Sequence, residues 1–94
     1  MDVPLPHDLL ESNHIFPGMY QIKAIGDAEN DFEGRVVAVI REELADHSEI
    51  DFAVKVTPGG RHISLTLNVM VQSPAQVIAV YGRIQKVEGL RFLL

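Results

Sequence analysis

His62 and Ser64 stand two positions apart in the run His62-Ile63-Ser64-Leu65-Thr66-Leu67-Asn68-Val69-Met70-Val71, whose apolar residues fall on alternate positions. A period of two marks a half-buried strand, so the imidazole and the hydroxyl share one face, their Cα atoms about 7 Å apart at a rise of about 3.3 Å per residue. A hydroxyl near an imidazole is the beginning of nucleophilic chemistry. Catalysis also needs a carboxylate to orient the imidazole and donors for an oxyanion, and neither is assignable along the chain. No catalytic residue is therefore expected, and the chain reads as non-enzymatic. Metal chemistry fails on spacing in the same way. His7, His14, His47 and His62 never recur at the short separations that put two imidazoles on one ion, and cysteine is absent. The acids of Asp27-Ala28-Glu29-Asn30-Asp31-Phe32-Glu33-Gly34 alternate like the start of a calcium loop, but the glycine comes two residues late and Ala38 stands where a bidentate glutamate is needed. Neither a metal nor a cofactor is expected.

Binding is the chemistry that remains. His62, Ser64, Thr66 and Asn68 occupy the polar face of their strand, and the same alternation in the flanking segments adds Gln21, Lys23 and Ile25, then Ala53 and Lys55, then Arg91 and Leu93. Lys23, Lys55 and Arg91 would thus gather with a histidine and several hydroxyl or amide groups on one surface. Such a face suits an anionic metabolite, the acidic surface of a partner protein, or a second copy of the chain. The plainer reading is that an open antiparallel face is simply polar.

The elements that must carry this face follow in order. Residues 1–15, with two prolines and scattered charge, read as an N-terminal arm in which Asp8-Leu9-Leu10-Glu11 makes one helical turn against the domain. Met19 to Ile25 alternates as a first strand, ended by Gly26. Asn30 or Asp31 caps a helix from about 31 to about 45, with Phe32, Val36, Val39 and Ile40 on its buried stripe. Asp51 to Thr57 is a second strand, joined through Pro58-Gly59-Gly60 to the central strand as an antiparallel hairpin. Ser73-Pro74 pairs a capping hydroxyl with proline at the first helical position, and Val77, Val80, Tyr81 and Ile84 form the stripe that follows. Gly89 breaks this helix, and residues 90–94 close the chain as a short strand.

Strand, helix, strand, strand, helix, strand is the split βαβ, ferredoxin-like arrangement. Right-handed crossovers put both helices on one face of a four-stranded antiparallel sheet of order 4-1-3-2, a two-layer α+β domain over residues 16–94. Tyr20, Ile22, Phe52, Val54, Ile63, Leu65, Leu67, Phe92 and Leu94 are expected to face the helices. The edge strand Asp51 to Thr57 is poorly protected apart from Lys55, which predicts self-association.

Eight basic residues against thirteen acidic ones give a net charge of −5, which argues against nucleic acid as a partner. The open face also lacks the aromatic residues on which bases stack. No basic-then-apolar leader and no membrane-length apolar run is present, so a cytoplasmic protein without a membrane partner is expected.

Phe16-Pro17 with Tyr20, Ile22-Lys23 and Ile25-Gly26 resembles the first-strand pattern of the YbeD-like family of small bacterial proteins of unknown function. Ser64 to Asn68, Gln76-Val77 with Val80-Tyr81 and Ile84, and Lys86-Val87 with Leu90-Arg91 resemble its second half, so that the likeness spans about residues 8–94. The resemblance implies a ferredoxin-like fold similar to ACT regulatory domains, and with it a regulatory or small-molecule-binding role. By that analogy the loop carrying Gly26, Asp27 and Asp31 is a ligand site, and its acidity favours amines or amino acids over phosphates. The alternative is a protein–protein adaptor that offers the open face or an edge strand. The chain departs from its relatives in the hairpin loop, cut here to Thr57-Pro58-Gly59-Gly60-Arg61.

Overall fold

The computed structural model of the chain describes residues 16–44 and 50–94. The expected arm, with His7 and His14, and also His47, lie outside the described residues. Four strands, β1 (Gly18–Asp27), β2 (Ile50–Val56), β3 (His62–Val71) and β4 (Leu90–Leu93), form one antiparallel sheet of order β2-β3-β1-β4. Helices α1 (Phe32–Leu44) and α2 (Pro74–Ile84) pack against it and against each other. This is the ferredoxin-like arrangement that the order of elements predicts. No described helix is long and apolar enough to cross a membrane.

Local chemistry explains most boundaries. At the start of α2 the Ser73 hydroxyl accepts the Gln76 N–H at 3.3 Å, and Pro74 opens the helix where its missing donor costs nothing. At the start of α1 the Asp31 carboxylate accepts the Gly34 N–H at 3.3 Å. A Cβ at position 34 would overlap that carboxylate, which accounts for a glycine in the first turn. Asn30 and Asp31 reach this cap with φ of 58° and 53°, the left-handed region that their short polar side chains tolerate. Gly26 does not end β1 as expected but lies within it. The Phe32 ring rests on its backbone so closely that a Cβ would overlap the ring.

The core lies between sheet and helices. Ile22, Ala24, Leu65, Leu67 and Val69 on the sheet meet Phe32, Val36, Ile40, Val77, Val80 and Ile84, all essentially inaccessible to water. Tyr20 and Tyr81 pack edge to face at its margin, with ring centroids 6.3 Å apart. Burial, reinforced by Tyr20, pushes the Tyr81 hydroxyl well above the ordinary range for tyrosine.

Two expectations about the sheet are corrected. Phe92 and Leu94 face away from the helices, and Leu93 takes the core position opposite Ala24. The register between β1 and β4 shifts between Ile25 and Gly26, so Phe92 opposes Ile25 and Leu90 opposes Gly26, which leaves Arg91 as the extra residue of a bulge. Phe52 and Val54 do lie on the helix side, opposite Leu67 and Leu65, but the helices do not cover them. They remain 38% and 40% exposed.

Candidate functional site

Alternation along the strands builds the open face as expected for Lys23, Lys55, His62, Ser64, Thr66 and Asn68. Lys23 stands opposite Thr66, Lys55 opposite Ser64, and Gln21 opposite Asn68, whose Oδ1 accepts from Gln21 Nε2 at 3.5 Å. The three cations do not gather. Lys23 and Lys55 lie on strands separated by β3, roughly 10 Å at the usual strand spacing, and Arg91 is turned to the end of the sheet. Asp51 joins the same face opposite Asn68. Met19, Met70, Phe92 and Leu94 bring exposed apolar surface to a face that was expected to be polar.

Arg91 makes a two-pronged contact with Asp27. Its Nε donates to Asp27 Oδ1 at 2.9 Å and its Nη2 to Oδ2 at 3.2 Å. His62, directly opposite Asp27 in the register, brings Nε2 to 3.8 Å from Oδ1, too long for a hydrogen bond. The Arg91 hydrogen bond above all holds the Asp27 carboxyl below its usual range, against an opposing effect of desolvation and with smaller help from the charges of Arg91 and His62. The same hydrogen bond and charge raise the Arg91 guanidinium. A carboxylate therefore does stand beside His62, contrary to expectation. At 3.8 Å it does not hold the imidazole by a hydrogen bond, and so does not orient it toward Ser64.

Around this pair the chain forms a concavity of about 420 Å³ lined by Asp27, Glu29, Gly60, Arg61, His62 and Arg91. Five backbone and side-chain hydrogen bonds bring its walls together. Ala28 N–H donates to Arg61 O at 3.0 Å, tying the loop after β1 to the β2–β3 hairpin. Asp27 N–H donates to Gly89 O at 3.0 Å, and Arg35 donates to Asn30 O at 2.8 Å and Glu88 O at 2.9 Å, tying the same loop to the segment before β4. Thr57 Oγ1 donates to His62 O at 3.0 Å and closes the short hairpin.

Of the three residues expected in a ligand loop, only Asp27 reaches the concavity. Gly26 is buried beneath Phe32, and Asp31 is occupied in capping α1. Glu29 and Arg61 were not singled out from the sequence. They come from two loops distant in the chain, which the pairing of Asp27 with His62 and the Ala28 to Arg61 hydrogen bond bring side by side.

Residues 11–94 match the family described as "Protein of unknown function (DUF493)". The chain belongs to this family. Among DUF493 relatives, a UPF0250 protein of Shewanella oneidensis is 32% identical over 81 residues, covering 84% of this chain and 88% of that one. A UPF0250 protein of Shewanella woodyi is 35% identical over 81 residues, with the same coverage. The DUF493 fold seen here is similar to that of protein HP0495 from H. pylori, with a TM-score of 0.69 at 14% identity over 96% of this chain and 94% of that one. It is also similar to the ACT domain from GTP pyrophosphokinase of Chlorobium tepidum, with a TM-score of 0.65 at 14% identity over 81% and 94% of the two chains. The fold is ACT-like, as the resemblance in the sequence implies.

Proposed function

We propose that the chain is a non-enzymatic regulatory domain that binds a small zwitterion of the amino-acid class in the concavity between the end of β1, the β2–β3 hairpin and β4. The observation that supports this reading is the mixed charge of the lining. Arg61, His62 and Arg91 surround Asp27 and Glu29. Asp27 and Arg91 largely neutralise each other, which leaves Arg61 to receive a carboxylate and Glu29 to receive an ammonium group. A phosphate would meet the Glu29 carboxylate there and is disfavoured. The likeness in fold to a domain from GTP pyrophosphokinase agrees with a part that accompanies catalysis rather than performs it.

The test is thermal unfolding of the full chain with each of the common amino acids and with inorganic phosphate. At least one amino acid should raise the melting temperature, since a ligand at one hundred times its Kd adds about 2.7 kcal/mol. Arg61→Ala should remove that shift. Stabilisation by phosphate alone, or by no amino acid, would overturn the reading. A second reading, an adaptor that works through an edge strand, is favoured by the uncovered apolar residues of β2.

A further inference from the structure

We infer that two copies of the chain join through β2, antiparallel and in a single register centred on Ala53, to make one continuous eight-stranded sheet. The inference does not depend on the zwitterion site, which lies at another part of the sheet.

β2 is an edge strand, and its outward row of backbone groups can be identified. Thr57 N–H donates to His62 O at 2.9 Å, so Thr57 points toward β3. The register between β2 and β3 is unbroken from Ile50 to Val56, so by alternation Ala53, Lys55 and Asp51 also turn their N–H and C=O groups to β3. Ile50, Phe52, Val54 and Val56 turn theirs outward. The side chains of these same four residues lie on the helix side, where Phe52, Val54 and Val56 are 38%, 40% and 58% exposed. The strand contains no proline and no bulge, the usual devices that stop edge pairing.

The sequence of β2, Ile50-Asp51-Phe52-Ala53-Val54-Lys55-Val56, complements its own reverse. A two-fold axis through Ala53 keeps the helices of both copies on one side. It sets Asp51 opposite the partner's Lys55, Lys55 opposite the partner's Asp51, Phe52 opposite the partner's Val54 and Ile50 opposite the partner's Val56. Ala53 meets its own copy at the centre, where a small residue is wanted. Every outward amide and carbonyl of the strand then finds a partner. Shifting the axis to Val54 keeps the faces aligned but leaves both charges without opposite partners, and shifting it to Phe52 sets Asp51 opposite Ala53 and carries Lys55 and Val56 past the start of the other copy's β2. Self-complementarity of this kind is what an isologous interface requires.

The test is sedimentation of the full chain, of Asp51→Lys, of Lys55→Asp, and of the two variants mixed in equal amounts. The wild type should be dimeric. Each variant alone places like charges opposite each other at both ends of the pair, and its dimer should weaken at least about tenfold. The mixture should recover a heterodimer, because a strand with two lysines then faces a strand with two aspartates. Recovery on mixing also shows that neither variant is simply unfolded, and both positions are exposed. A wild type that stays monomeric at the highest concentration reached would overturn the inference. So would single variants that dimerise as the wild type does. A monomer whose amides at positions 50, 52, 54 and 56 resist hydrogen exchange would overturn it too, by showing that the edge is already filled within one copy.

Discussion

β2 and β3 are paired along seven residues, joined by one hairpin and patterned alike, yet the helix-side row of β3 is sealed while that of β2 is open. Leu67 and Phe52 stand directly opposite each other, as do Leu65 and Val54. Leu65 and Leu67 are inaccessible to water, whereas Phe52 and Val54 keep more than a third of their surface exposed. Alternation of apolar residues therefore establishes which side of a sheet a residue occupies, and the reach of the helices decides what burial is worth there. The same apolar pattern serves folding on one strand and is left available for association on the next.

The sharpest test of this contrast is truncation at the two facing positions. Leu67→Ala should cost about 2–5 kcal/mol, because it opens a cavity in a sealed core. Phe52→Ala should cost about 1 kcal/mol or less in dilute protein, in the range of surface changes. Urea unfolding measures both, and equal losses would mean that β2 is covered in solution. A smaller effect concerns how closely the helix layer sits on the sheet. Gly26→Ala drives a methyl group into the Phe32 ring and should cost about 1–3 kcal/mol, again read from urea unfolding. No glycine on β2 is held in this way.

Ser73→Ala should cost about 1 kcal/mol by removing the cap that starts α2 directly after β3. Its thermal midpoint should fall, while the dimer affinity through β2 stays unchanged. A change in that affinity would show that the two strands are not energetically separate.

The order of elements, the sheet order and the cap at Ser73-Pro74 were legible in the sequence because each rests on local chemistry or on handedness. The last strand was not. Leu90, Phe92, Leu93 and Leu94 are apolar at both parities, so alternation cannot choose a face, and a bulge opposite Ile25 and Gly26 makes the choice. The exposure of Phe52 was equally hidden, since it depends on where the helices stop. On the functional side, the face carrying Lys23, Lys55 and His62 to Asn68 followed from the period of two. The concavity did not, because Glu29 and Arg61 meet only through the Ala28 to Arg61 hydrogen bond and the register of Asp27 with His62.

The smallest expected effect lies where β3 begins, at the end of the sheet that carries charge. Arg91 holds the Asp27 carboxyl below its ordinary value of 3.8, so the folded state binds that proton less readily than the unfolded chain does. The stabilisation is present above the unfolded value and is lost as the pH falls through the lower, folded one. Arg91→Ala should therefore lower stability at neutral pH, and the gap from the wild type should close only at acid pH, below the ordinary carboxylate range. Unfolding midpoints of the two proteins measured from neutral to acid pH check this. A gap that persists unchanged in acid would mean that Arg91 acts through packing of its stem against the sheet rather than through Asp27. The charged end of the sheet would then have no electrostatic contrast with the apolar edge of β2.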